Sequence, residues 1–464
     1  MKPGRIALAL IATAAAGFSL TGCGGSSPML TEKPGSPSPV QMQGQVKGGQ
    51  QPITNATIQL YAVGTSGYGS AATPVFSPAI TTDGNGDFTF PDSYCPSNPN
   101  DLVYLVATGG QPTGASPVNG SIPTNANEAL MVALGPCSNI TADTHISINE
   151  LTTVAAVWAL APFMSGTTDA YLNIGSPASN ATGLALAFNA AEQVTNTSTG
   201  AIGGANLPAG ATLPTAEIIS LADILGYCVN SGGGAEGDSS NCGAVFGDAP
   251  NTAGTAYPTD TITAAMNIAL NPAANVPALY VLGGKIPVYT GGLGSAPTAW
   301  TLAIQYKNGG LSAPTAIAAD QAGNIWVTNS GAPTVSKFDN LGNSLLGNGT
   351  TISAGTPTGL AVDASGNAWI TVSSANSLIE VSSSGTAGAA ITTPLSEPTS
   401  VAIDGGGLVW VANSGGTGGN SVSIFTSTGG VVAGSPFGGG GIASPAGIAI
   451  NGNANANCSD CNQE

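Results

Sequence analysis

Charge is what this chain has least of. Only 7 of its 464 residues are basic and 24 acidic, so 7% are charged, against roughly 25% in ordinary soluble domains. Seven Lys and Arg cannot build the basic stripe a nucleic-acid binder needs, which excludes that partner class. Histidine is almost missing: His145 stands alone. A chain so poor in titratable groups has little with which to do acid–base chemistry. No G-x-S-x-G, H-E-x-x-H or P-loop pattern occurs. The sequence therefore implies no catalytic residue, no metal and no cofactor. Disorder is excluded as well, because 42% of the residues are hydrophobic and disordered chains are poor in these.

What is present begins with an address. Lys2 and Arg5 precede an apolar run from Ile6 to Leu20, too short to span a bilayer comfortably. Leu20-Thr21-Gly22-Cys23 follows. This resembles the lipobox of bacterial lipoproteins, which implies removal of residues 1–22 and lipidation of Cys23. Residues 23–40, rich in Gly, Ser and Pro, suit a flexible tether. Position 24 is Gly, not Asp; by analogy with lipoprotein sorting this favours the outer membrane. Cleavage leaves five basic against 24 acidic residues, a net charge of −19. The lipid, not the protein surface, is then the membrane contact.

Six cysteines remain: Cys95, Cys137, Cys228, Cys242, Cys458 and Cys461. An even number in an exported chain suggests disulfides. Their clustering favours Cys95–Cys137, Cys228–Cys242 and Cys458–Cys461 among 15 connectivities. Cys458-Ser-Asp-Cys461 has the spacing of a redox or zinc motif, but no second such pair exists to complete a four-ligand site.

Residues 41–140 read as strands. Gln45-Val46-Lys47, Thr57-Ile58-Gln59-Leu60-Tyr61, the Ala79–Phe90 strand–turn–strand and Leu102–Ala107 show the alternation of half-buried sheets. Their order resembles the carboxypeptidase regulatory-like family, which implies a small β-sandwich. Asp83, Asn85 and Asp87 mimic the start of a calcium loop, but Ser93 stands where the bidentate Glu belongs. Turn formation is the better reading of these residues. Residues 144–283 read as an α-helical domain. Helices are expected after a Ser147-Ile148-Asn149-Glu150 capping box, over Leu184–Val194, after Pro214, and over Asp260–Leu270. Glu150 is expected to be a cap, and His145 a structural or exposed residue.

From about residue 300 the chain repeats itself. Pro314–Asp320 with Gly323–Ser330, Pro357–Asp363 with Gly366–Thr371, and Pro398–Asp404 with Gly407–Ser414 are three copies; Pro445–Asn451 opens a fourth. Each copy carries an Asp–Trp pair: Asp320 and Trp326, Asp363 and Trp369, Asp404 and Trp410. The Asp reads as a turn residue and the Trp as core. A four-stranded unit of about 40 residues is the blade of a β-propeller. The pattern resembles the NHL-repeat family and the related streptogramin-lyase-like propellers. The expected fold is multidomain and mainly β: an N-terminal sandwich, a central helical region, and an incomplete NHL-type propeller over 300–452, then a Cys-containing tail, 453–464. Closed propellers usually have four to eight blades. A shortened gene or pairing between chains is expected to account for the deficit; cover by the helical region is the third reading.

The function expected from these features is a lipid-anchored envelope protein that binds a protein or glycan without catalysis. A purely structural surface lipoprotein is one alternative. The lyase resemblance implies another, with a propeller histidine as base; residues 300–464 contain no histidine.

Overall fold

The computed structural model describes residues 42–450, except 91–94, 96–97, 142–143, 166–172, 353–354 and 416–418. The expected signal and tether, Cys23, Cys458, Cys461 and the tail lie outside the described residues. The protein is mainly β, with several antiparallel sheets and six α-helices among the described residues.

Ten strands come first: β1 (Gln43–Gly48), β2 (Gln51–Thr54), β3 (Thr57–Ala62), β4 (Thr73–Pro74), β5 (Ile80–Thr81), β6 (Asp87–Thr89), β7 (Leu102–Thr108), β8 (Gln111–Pro112), β9 (Ala129–Pro136) and β10 (His145–Ile148). They form two sheets. One runs β10-β1-β2-β8 with β6 also on β1; the other runs β4-β3-β7-β9 with β5 also on β3. The Ala79–Phe90 segment is thus not a hairpin: β5 joins one sheet and β6 the other. Between them, Asp83 Oδ1 accepts from the amides of Asn85 at 2.8 Å and Asp87 at 3.0 Å, so the carboxylate holds a turn.

The second sheet is buried on both faces. Ile58, Leu60, Val103, Leu105, Leu130 and Val132 join Val46, Ile53, Ile146 and Ile148 of the first sheet in one core. The intervening Tyr61, Tyr104, Val106, Met131 and Ala133 enter a second core with the helices. Period-two alternation thus divides one sheet between two cores, and explains why β7 and β9 read as continuous apolar runs.

The helices are α1 (Glu150–Leu160), α2 (Ala181–Val194), α3 (Thr215–Val229), α4 (Asn241–Asp248), α5 (Thr261–Leu270) and α6 (Val276–Gly283), with a short pair β11 (Met164–Ser165) and β12 (Asn173–Ile174) between the first two. The start of α1 differs from expectation. Residues 145–148 are strand β10, parallel to β1, so Ser147 is not a cap. Asn149 is the N-cap, and a box closes between Asn149 and Thr152. Glu150 does not cap; it is wholly buried and serves another purpose, given below. Asp260 caps α5 through the amide of Thr263 at 2.8 Å. Two disulfides pin this half: Cys95–Cys137 with Cα atoms 5.7 Å apart and Cys228–Cys242 at 4.3 Å.

The repeated part gives three antiparallel sheets in series. The first is β13 (Pro314–Ala319), β14 (Ile325–Asn329), β15 (Thr334–Phe338) and β16 (Thr350–Thr351). The second is β17 (Gly359–Val362), β18 (Ala368–Val372) and β19 (Ser377–Val381). The third is β20 (Pro398–Ile403), β21 (Val409–Asn413), β22 (Ser421–Phe425) and β23 (Phe437–Gly438). Their first strands are neighbours: β13 lies beside β17 and β17 beside β20. Pro445–Ile450 forms no strand, yet it is seated like the copies before it. Thr399 Oγ1 donates to Pro445 O at 2.8 Å, as Thr358 Oγ1 donates to Pro398 O at 3.0 Å one copy earlier. The amide of Ser444 donates to Asn420 Oδ1, as that of Glu397 donates to Asn376 Oδ1.

Candidate functional site

The repeated carboxylates are tied into turns. Asp320 Oδ1 accepts from the amides of Ala322 and Asn324, Asp363 Oδ1 from Ser365 and Asn367, and Asp404 Oδ1 from Gly406 and Leu408, all at 2.9–3.0 Å. The glycine closing each turn, for example Gly366 at φ +80°, occupies the left-handed region that other residues avoid. The remaining oxygen serves the tryptophan. Trp369 Nε1 donates to Asp363 Oδ2 at 3.2 Å and Trp410 Nε1 to Asp404 Oδ2 at 2.9 Å.

The first copy departs from this scheme. Lys337 Nζ stands 3.2 Å from Asp320 Oδ2 and 4.6 Å from the centre of the Trp326 ring, and donates to Ser383 O of the next sheet at 3.0 Å. Trp326 Nε1 is buried and has no hydrogen-bond partner among the described residues. Burial pushes the Asp320 carboxyl up, but Asn324 and Lys337 outweigh it and hold it below the ordinary range. Cross-strand register explains the difference: Trp326 pairs with Lys337, Trp369 with Glu380 and Trp410 with Ile424.

Trp326 and Trp369 are completely buried between successive sheets, whereas Trp410 is half-buried. Trp326 packs with Ala368, Ile370 and Val381 of the second sheet. Trp369 packs with Val401, Val409, Val411 and Phe425 of the third.

Two clefts flank these sheets. An apolar one of about 600 Å³ lies on the first sheet, lined by Ile317, Ile325, Val327 and Phe338, with Leu186 of α2 and Tyr306 at its side. A polar one of about 440 Å³ is lined by Thr356, Thr358, Ser373, Ser374, Asn376 and Glu397. It sits where β17 begins, at the end of the sheet opposite the Asp363 turn. Its lining is hydroxyls, one amide and one carboxylate, all of which can hydrogen-bond. Motif reading missed it, because all of its residues but Thr358 come from the joints between copies rather than from the copies.

Elsewhere, Glu150 is a buried clamp. Gly49 N donates to both its oxygens at 3.0 and 2.8 Å, and Tyr289 Oη donates to Oε2 at 2.8 Å. Desolvation raises it, these donors lower it, and the net result is about 7. Glu128 is also fully buried and neither oxygen has a hydrogen-bond partner among the described residues; burial, then repulsion by Glu150, push it well above the ordinary range. His145 is exposed at the start of β10. No group of three or more His, Cys, Asp or Glu able to hold a metal occurs among the described residues.

No family model matches the sequence, and no curated protein does. Solved structures similar to part of it include a streptogramin B lyase, at 18% identity over 32% of this chain and 48% of that one, with a TM-score of 0.28. Virginiamycin B lyase from Staphylococcus aureus is 20% identical over 27% of this chain and 41% of its own, with a TM-score of 0.24. Hydrazine synthase of Kuenenia stuttgartiensis is 17% identical over 31% and 40%, with a TM-score of 0.27. The chain spans less than half the length of each.

Proposed function

We propose that this protein is a lipid-anchored cell-envelope protein whose repeated sheets, as blades of an incomplete NHL-type β-propeller, bind a glycan or protein without catalysis. The N-terminal sheets, read as a carboxypeptidase regulatory-like sandwich, and the helices support that platform. The polar cleft around Thr358, Asn376 and Glu397 carries the reading. It offers neutral hydrogen-bonding groups and one carboxylate at the head of the first strands. The repeated carboxylates that could otherwise act as acids or bases are engaged in turns and by an indole N–H at Asp363 and Asp404 or by Lys337 at Asp320. The lipobox resemblance at Cys23 supports the anchor. Two disulfides accord with an oxidising compartment.

The test uses the full mature chain with Cys23→Ser, so that it is soluble. It is presented to envelope glycans and to envelope extracts, beside Glu397→Ala. Saturable binding that falls about tenfold in the variant supports the reading. Ring opening of a streptogramin by the same preparation would overturn it in favour of the lyase alternative. Absence of any binding would leave the structural role.

A further inference from the structure

Each junction between successive sheets buries an indole. In the third sheet Val401, Val409, Val411 and Phe425 enclose Trp369. At the same register positions of the second sheet, Leu360, Ala368, Ile370 and Val381 pack with Trp326. In the first sheet these positions hold Ile317, Ile325, Val327 and Phe338. All four line the apolar cleft of about 600 Å³, and no tryptophan among the described residues lines it. The surface that receives an indole twice within the chain is thus present a third time, open.

The cleft also has a built wall. The Tyr306 ring lies so close over Gly342 that a Cβ there would enter it. Tyr306 Oη donates to Gln193 Oε1 at 3.1 Å, and Gln193, itself buried, donates through Nε2 to Leu341 O. Gly309 seats the same stretch of chain on the Phe338 ring. One end of the four is therefore covered, with Phe338 5% exposed, while Ile317 at the other end is 71% exposed. This leaves room for a ring rather than for a further sheet. Asp339 is the one charged residue in the lining. Its oxygens already accept from the amides of Leu341 and Asn343 at 2.9 and 2.8 Å and from Asn343 Nδ2 at 3.0 Å.

We propose that this cleft is a binding site for a small, uncharged aromatic molecule. Its ring lies on Ile317, Ile325 and Val327 as Trp326 and Trp369 lie on the next two sheets, with Tyr306 beside it. The volume falls within the roughly 300–1,000 Å³ of small-molecule sites. A flat ring is favoured over an aliphatic chain, because the sister surfaces enclose an indole and the Tyr306 ring offers an aromatic neighbour. The site is separate from the polar cleft, so either reading can fail without the other.

The experiment is a fluorescence titration of the mature Cys23→Ser chain with phenylnaphthylamine, an uncharged aromatic probe that brightens in apolar surroundings. Competition follows with indole, octanol and the tripeptide Ala-Trp-Ala. Saturable brightening that indole reverses and octanol does not is expected. Ile317→Glu sets a carboxylate against the ring and should weaken the probe about tenfold or more. Ile317 is exposed, so the variant should keep the wild-type unfolding midpoint. Glu397→Ala, in the polar cleft, should leave the titration unchanged. A chain that does not brighten the probe, octanol competing as well as indole, the tripeptide competing better than indole, or Ile317→Glu binding as the wild type does would overturn the proposal.

Discussion

Lys337 offers a sharp test of how the first repeated sheet is held. The side chains of Lys337 and Asp320 are 7% and 4% exposed, and their charged atoms are 3.2 Å apart. Removing one member of a buried pair typically costs about 3–5 kcal/mol, since the other charge is left uncompensated. Here the two removals are unequal. Without Lys337, Asp320 still accepts from the amides of Ala322 and Asn324 and from Asn324 Nδ2. Trp326 Nε1, unpartnered as things stand, can turn to Asp320 Oδ2 as Trp410 does to Asp404. The third sheet already works this way, with Ile424 at the matching position. Lys337→Met should therefore cost only about 1–2 kcal/mol, mainly the lost cation–π contact and the Ser383 bond. Asp320→Asn strands a buried ammonium and should cost about 3–5 kcal/mol. The double variant should be more stable than Asp320→Asn alone. Urea unfolding at neutral pH, followed by tryptophan fluorescence, measures all three. Because the Asp320 carboxyl is held low, its contribution is present above the unfolded value and lost as pH falls through the folded one. The gap between wild type and Lys337→Met should narrow in acid. A Lys337→Met cost equal to or above that of Asp320→Asn would refute the reasoning.

Other perturbations have equally definite outcomes. Glu150 has a folded value raised to about 7, so it keeps a proton that the unfolded chain releases at lower pH. Its contribution is full below the unfolded value and lost as pH rises through about 7, a swing on the order of 3 kcal/mol. Urea midpoints at pH 5 and 8 should differ in that direction, and by less in Glu150→Gln. Replacing Cys228 and Cys242 together by Ala opens a link across 14 residues and should cost about 3 kcal/mol, read as a lower melting temperature under oxidising conditions, with Cys95–Cys137 still intact. Gly44→Ala would drive a methyl into the Phe88 ring and the carbonyl of Ile146; a loss of about 2–3 kcal/mol in the same unfolding assay is expected.

The repeats were legible because each copy carries its own local chemistry. An Asp that caps a turn, a Gly that closes it and a Trp six residues on all act within one hairpin. The end of α2, the start of α3 and both ends of α5 were legible for the same reason: apolar period, Pro214 and Asp260 are neighbours of what they control. Glu150 was not. Its partners Gly49 and Tyr289 lie 101 and 139 residues away, and a short sequence window contains neither. The strand β10 was hidden because its pairing partner β1 lies about a hundred residues earlier. The helices α4 and α6 escaped for composition: α4 is short and holds two glycines, and Pro272 reads as a stop although Pro277 sits in the first turn of α6, where proline is tolerated. The polar cleft takes all its residues but Thr358 from inter-copy joints, whose residues vary from one copy to the next.

The two-faced sheet of β3, β7 and β9 bears on how the protein can be divided. Tyr104 and Met131 belong to the helical core, while their neighbours Leu105 and Val132 belong to the other. Neither half can shed the sheet without exposing an apolar face to water. Strands and helices should therefore melt in one transition, and amide protons on both sides of β7 should exchange at a common rate set by that single event. A fragment ending near residue 140 would carry the sheet with one side bare, and would be expected to aggregate rather than fold.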